Sequence, residues 1–171
     1  MTSIGLVSDT HLWLTDKELP HQVAETLSGV DLILHAGDIF VLPVLDWLEK
    51  IAPVLAARGN NDWHLPPDPR LDEHQLLKVE GLRVGLAHMR DLPDRLPHYP
   101  LAKIMRQEFG GAVDVFVFGD THVAMVERHD GVLLVNPGSP TFPNNMDRCL
   151  GTVGRLDIES GQATARIIQL K

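Results

Sequence analysis

Apolar and polar positions along the chain alternate between two periods. Residues 3–8 form a short apolar run of strand length, and 22–28 carry Val23 and Leu27 at helical spacing. Residues 31–36 read as the next strand. Over 41–50, Val44, Leu45 and Leu48 share one helical face, and 53–57 follow as a third strand. Strand, helix, strand, helix, strand predicts a parallel sheet, because parallel neighbours need a crossover longer than a turn. Pro66, Pro67 and Pro69 interrupt both helix and ladder, so 64–73 is predicted as an extended loop. Residues 75–79 and 83–87 flank Glu80-Gly81-Leu82 as a hairpin would. After a second proline-rich stretch, 101–109 reads as a helix. The remainder reads as strand over 113–118, 124–128, 132–135, 149–157 and 163–170, with turns at Asp130-Gly131 and Ser160-Gly161. A parallel half followed by an antiparallel half implies two packed sheets with helices outside.

The chemistry lies where polar residues interrupt the strands. The first ends in Asp9-Thr10-His11, the second in Gly37-Asp38, and the third in Arg58-Gly59-Asn60-Asn61-Asp62. The strand over 83–87 ends at His88, and that over 113–118 ends in Gly119-Asp120-Thr121-His122. In open α/β sheets, sites gather at the carboxyl ends of strands, so the five ends can converge on one cleft. Glycine before Asp38, Asn60 and Asp120 allows a sharp turn and close backbone approach. Carboxylates, imidazoles and an amide oxygen form a mixed set suited to two divalent ions, manganese first, with iron, magnesium, zinc and nickel also compatible. Two ions sharing a carboxylate need about three further ligands each, and Asp9, His11, Asp38, Asn60, His88, Asp120 and His122 meet that demand.

Composition narrows the partners. The formal charge of −8 argues against broad binding to a nucleic-acid backbone, which relies on clustered Lys and Arg, but tolerates a small phosphoester. No apolar run has the length of a membrane span, and the first residues lack the basic start of a signal peptide, so a cytoplasmic protein is expected. Cys149 is the one cysteine and has no partner for an internal disulfide; it is expected to be a small buried strand residue. Nothing along the chain marks a domain boundary.

Taken in order, Asp9-x-His11, Gly37-Asp38, Gly59-Asn60-x-Asp62, His88 and Gly119-x-x-His122 resemble the signature of the calcineurin-like metallophosphoesterases. The short chain, His35-Ala36-Gly37-Asp38 and Asn136-Pro137-Gly138-Ser139 are similar to the small bacterial and archaeal branch of that family. The resemblance implies a single domain over 1–171, folded as a four-layer α/β/β/α sandwich of two mixed β-sheets flanked by helices. It implies a phosphodiesterase, with phosphomonoesters also within reach, working by in-line attack of a metal-bridging hydroxide. One metal would sit on Asp9, His11 and His122 and the other on Asn60, His88 and Asp120, with Asp38 bridging. Asp38, Asn60, Asp62 and His88 would carry catalysis. Two positions depart from the pattern. Asp120 stands where the family usually has histidine, which favours manganese or magnesium over zinc and lowers the positive charge of the site. Asn61 stands where many larger relatives have a histidine resembling a general acid, so a substrate with a good leaving group is expected.

Several residues beyond this set have plausible roles. Asp62 would orient a neighbouring ligand or imidazole, and His35 would donate a hydrogen bond to a ligand. Trp13 and Trp63 would either stack on a base or aryl group or pack in the core. Arg90 could clamp a phosphate, and Ser139 would buttress the metal loops. His21, His64, His74, His98 and His129 are expected to be structural or exposed. An edge of the second sheet is available for pairing two subunits. The competing function is a protein-binding scaffold with a degenerate metal site, like the retromer subunit that shares this fold. Asp120 favours that alternative; the retained His11, His88 and His122 oppose it.

Overall fold

The computed structural model describes residues 1–13, 18–89 and 100–171. Among the described residues eleven strands and three α-helices are formed, in the order β1 (Thr2–Val7), α1 (His21–Thr26), β2 (Leu32–His35), α2 (Pro43–Glu49), β3 (Val54–Ala57), β4 (Leu71–Asp72), β5 (His74–Val79), β6 (Leu82–Ala87), α3 (Leu101–Phe109), β7 (Val115–Val117), β8 (Met125–His129), β9 (Val132–Asn136), β10 (Thr152–Glu159) and β11 (Gln162–Gln169). One sheet runs β11-β10-β1-β2-β3-β4 and the other β5-β6-β7-β9-β8. Both sheets are mixed. In the first, β1 to β4 are parallel and β10 and β11 antiparallel; in the second, β6, β7 and β9 are parallel.

The architecture is a four-layer sandwich, because the central strands carry apolar residues on both faces and those faces are covered. Val23, Leu27, Val44, Leu45 and Leu48 of the first two helices pack with Val7, Ile33 and Ala56 on the outside of the first sheet. Ile4, Leu6 and Leu34 meet Val84, Leu86, Val115 and Val117 between the sheets. Leu101, Ile104, Met105 and Phe109 of α3 cover Phe116, Phe118 and Leu134 on the far side. The period of two is visible in β2, where Ile33 points outward and Leu34 inward, and in β7, where Phe116 faces α3 and its neighbours face the other sheet.

Three expectations are corrected. The last two strands join the first sheet, where β10 pairs β1 through Thr2–Ile158 to Leu6–Gly154, instead of extending an antiparallel half. The predicted loop over 64–73 holds a two-residue strand that continues the parallel sheet from Ala56 and Ala57. Cys149 is exposed and precedes β10. Arg90 and His98 lie outside the described residues. Among the described residues no helix is long and apolar enough to cross a membrane.

Arg70 fixes the 64–73 segment. Its Nε and Nη2 donate to the two oxygens of Asp68 at 2.9 and 2.7 Å, and further ion pairs reach Asp46 and Glu49 on α2. The Asp68 pair is bidentate and mostly shielded, whereas Asp46 and Glu49 are exposed and contribute little. Arg70→Met should therefore lower the free energy of unfolding by about 2 kcal/mol with the fold kept, as read from urea denaturation. An unchanged midpoint would show that the network adds no stability.

Candidate metal centre

The parallel strands β1, β2 and β3 of one sheet and β6 and β7 of the other deliver their carboxyl ends to the same rim of the sandwich. Asp9 is fully buried there, and Asp38, His88 and His122 nearly so. On one side, His11 Nε2 lies 3.1 Å from Asp38 Oδ2 and 3.9 Å from Asp9 Oδ1, and His122 Nε2 lies 3.5 Å from the same Asp9 oxygen. On the other, His88 Nε2 lies 3.0 Å from Asn60 Oδ1 and 3.5 Å from both Asp38 Oδ1 and Asp120 Oδ1. Asp38 thus presents one oxygen to each side.

The protonation of the imidazoles follows from their other nitrogens. His88 Nδ1 donates to the Ala36 carbonyl at 2.6 Å and His122 Nδ1 to that of Phe142 at 2.7 Å. In a neutral ring this leaves Nε2 as a bare lone pair. His88 Nε2 then confronts three oxygens with no donor among them. Asp9 Oδ1 and His11 Nε2 are buried without a hydrogen-bond partner, the His11–Asp38 approach being close but poorly aligned. Converging acceptors repel unless a cation lies among them, so the donor set fits divalent metal. Two compact groups have the reach for one, Asp9–His11–His122 and Asp9–Asp38–His88.

The electrostatics agree. Burial alone would lower the His11 pKa, but the adjacent Asp38 and Asp9 carboxylates outweigh it and raise the value to about 9. Burial works against ionisation of Asp38, yet His11, His88 and Asn61 hold its pKa well below the usual carboxylate range. A potential that binds an extra proton this firmly also attracts a metal ion.

The backbone is strained at the same places. Asp9, His11, Asp38, Asp120 and His122 all have positive φ, between 44° and 70°. Side chains pay roughly 1 kcal/mol or more for such conformations, which persist where the surroundings over-determine them. Those surroundings are specific. Ser139 Oγ donates to the Asp9 carbonyl at 2.7 Å, and Thr141 Oγ1 to that of Thr10 at 2.6 Å. Asn136 Nδ2 donates to the Gly119 carbonyl, and the Asp120 N–H donates to Asp9 Oδ2. A Cβ at Gly59 would overlap Asp38, and one at Gly119 would overlap Ser8 and Asp9, so only glycine fits at either position.

Asp62 is buried and accepts from the backbone N–H groups of Ile39, Phe40 and Gly59. It therefore orients the loop after Asp38 through main-chain amides and not through an imidazole. His35 accepts from the Gly37 N–H and, with burial lowering its pKa to about 4, stays neutral and donates Nε2–H to Thr10 Oγ1. It supports the ligand loops without touching a ligand side chain. Two contacts were not anticipated. Asn61 donates from Nδ2 to Asp38 Oδ2 at 2.6 Å and from its backbone N–H to Oδ1 at 3.0 Å, clamping the shared carboxylate. Arg148 donates to the His11 carbonyl at 3.0 Å and lies 5.9 Å over Phe142. Asn61 neighbours a motif and was legible as a position, but nothing in the spacing of Arg148 marks it.

A stack of two mixed sheets with this donor set at one rim defines a metallophosphoesterase. The chain belongs to the calcineurin-like phosphoesterase superfamily, whose domain model it matches over residues 2–161. It is 34% identical over 169 residues to a probable metallophosphoesterase of Methanocaldococcus jannaschii, covering 98% of this chain and 81% of that protein. A phosphodiesterase of the same organism is 26% identical over 173 residues, covering 91% of this chain and 93% of that one. The fold also matches the crystal structure of Entamoeba histolytica Vps29 complexed with zinc, at TM-score 0.74 and 19% identity, over 98% of this chain and 99% of that one.

The pKa shift at His11 sets a pH dependence. Its folded value, about 9, exceeds the ordinary 6.5, so its stabilisation is full below 6.5 and is lost as pH rises through about 9. Metal-free protein should melt at lower temperature near about pH 10 than near about pH 6.5. Calorimetric titration with manganese near neutral pH should release about one proton per chain as His11 becomes a ligand. Metal uptake with no proton release would contradict a protonated His11.

Proposed function

We propose that this chain is a phosphodiesterase that hydrolyses small phosphodiesters with two divalent cations, manganese for preference, shared through Asp38. The observation that carries this reading is the split carboxylate. One oxygen of Asp38 faces His11 and the other faces His88, between the Asp9, His11 and His122 donors on one side and the Asn60, His88 and Asp120 donors on the other. Asp9, His11 and His122 would hold one ion, and Asn60, His88 and Asp120 the other. Bound there, the ions supply Lewis acidity toward the phosphoryl oxygens and lower the pKa of water.

The chain's own residues set the geometry. The backbone carbonyls of Ala36 and Phe142 accept from Nδ1 of His88 and His122 and so turn Nε2 of each ring toward the site, and Asn61 holds Asp38 at fixed orientation. Asn61 is committed to that carboxylate, and an amide does not transfer a proton to a leaving group. Esters with an acidic leaving alcohol are therefore the preferred substrates. The family membership and the curated phosphodiesterase relative support hydrolysis of phosphoric esters. The lone Cys149 supports a reducing, cytoplasmic compartment. A scaffold has no use for five ligand residues held in left-handed backbone, which weighs against the non-enzymatic alternative.

Purified protein should hydrolyse bis(p-nitrophenyl) phosphate when manganese is added and lose this in EDTA. Asp9→Ala should reduce kcat by at least about 1,000-fold, and the near-isosteric Asp38→Asn should do the same with the fold intact by circular dichroism. Full activity in Asp38→Asn would refute the bridging role. Asn61→Ala should cost about 10- to 100-fold in manganese affinity or kcat, the usual effect of removing a group that orients a ligand. An unchanged manganese titration and rate in that variant would show the clamp to be idle.

A further inference from the structure

Next to the metal centre stands an aromatic wall that the ligand set does not use. Trp13 is 57% exposed although it follows the His11 motif by only two residues. Its ring meets Phe40 edge-on at 4.9 Å, and Phe40 lies 4.5 Å from the ring of His11. Trp13 is thus two ring contacts from His11. Exposing this much indole to water is unfavourable, and tryptophan in such positions is characteristic of surfaces that bind.

Phe40 shows that the wall is held in place. Its φ is 71°, in the left-handed region where a bulky side chain is a genuine outlier, and no other Phe, Trp or Tyr among the described residues has positive φ. Both of its backbone polar groups are occupied. The N–H donates to Asp62 Oδ1 at 2.9 Å, and the carbonyl accepts from His64 Nε2 at 3.0 Å. The carboxylate that orients the Asp38 loop therefore also fixes Phe40, and Phe40 supports the edge of Trp13. A bulky residue keeps this conformation only where its surroundings hold it, and here they hold the ring against both His11 and Trp13.

Accepting the phosphodiesterase reading above, we infer that Trp13, braced by Phe40, is a stacking subsite for a planar aromatic ester group, so that the substrates are phosphodiesters carrying a nucleobase or an aryl group. Stacking on an exposed indole is sequence-tolerant, because every base and aryl ring has a π-face. Arg148, beside Phe142 on the neighbouring face of His11, adds a cation next to the anionic substrate.

The test measures binding and turnover separately. Manganese-loaded wild-type, Trp13→Phe and Trp13→Ala proteins are titrated with thymidine 5′-phosphate, phenyl phosphate and methyl phosphate by tryptophan fluorescence and by calorimetry. Wild type should bind the two aromatic phosphates about tenfold more tightly than methyl phosphate. Trp13→Phe should keep most of that preference, and Trp13→Ala should abolish it with the fold unchanged. Tighter binding of the thymidine than the phenyl compound assigns the subsite to nucleosides; equal binding assigns it to aryl esters generally. Equal affinity for all three in wild type, or an unaltered preference in Trp13→Ala, would overturn the inference. Turnover of methyl trifluoroethyl and thymidyl trifluoroethyl phosphodiesters, which share an acidic leaving alcohol with no ring, is followed in parallel. Hydrolysis of both without aromatic preference sinks the subsite alone, whereas aromatic preference in binding with no hydrolysis sinks the phosphodiesterase reading and leaves the subsite standing.

Discussion

A gathering of electron-pair acceptors that outnumber the donors around them governs this structure. Asp9, Asp38, Asp120, Asn60 and three imidazoles turn their oxygens and nitrogens toward a common space. Without positive charge this arrangement is repulsive and partly desolvated, the most expensive combination of polar groups a fold can hold. The surrounding structure is arranged to hold it together. Protonation of His11 relieves part of the repulsion.

What holds the cluster is reciprocal support between the sheets. The Ala36 carbonyl, at the end of a strand in the first sheet, accepts from His88 of the second and also from Ser8. The Asp120 N–H of the second sheet donates to Asp9 of the first. The loop carrying Ser139 and Thr141 binds the carbonyls of Asp9 and Thr10 from beyond the second sheet. Each link joins elements far apart in sequence, so the strained ligand backbones are stable only once both sheets have packed over the apolar layer of Ile4, Leu34, Val84 and Val115. Folding thereby builds the site and its strain in one step.

The ligand positions were legible because they are local punctuation. A strand of apolar residues that stops at Gly-Asp or Gly-Asn announces both the turn and the donor, and three such stops, with Asp9 and His88 ending two further strands, stand out against the alternating pattern. The helix over 101–109 was equally plain, since its apolar residues and the following Gly110-Gly111 agree. Pairing partners were not legible. Nothing in the periodicity of 152–159 says that it adds to β1, more than a hundred residues away, because either face of either sheet accepts the same alternation. The two-residue strand after Arg70 escaped notice for the opposite reason, being too short to show a period and held by ion pairs instead. The clamp from Asn61 and the contact of Arg148 depend on distances in space that spacing along the chain does not encode.

Asp120 acquires a different meaning from the geometry than from the motif. As a departure from histidine it suggests loss of charge and a weakened site. In space, the amide of Asp120 is committed to Asp9, so the loop follows the same course whichever side chain it carries. The carboxylate meanwhile gives each half of the centre one private acid, Asp9 or Asp120, beside the shared Asp38. Charge is thus balanced across the two halves, but donor type is not. The half with Asn60, Asp120 and Asp38 offers three oxygens and one imidazole, and the half with His11 and His122 offers two of each. Under the two-metal proposal, hard, oxygen-preferring ions such as manganese and magnesium would suit the first, and softer ones such as zinc or iron the second. In the proposed two-metal reading the substitution differentiates the two positions, the Asp120 side chain being 25% exposed and that of Asp9 fully buried.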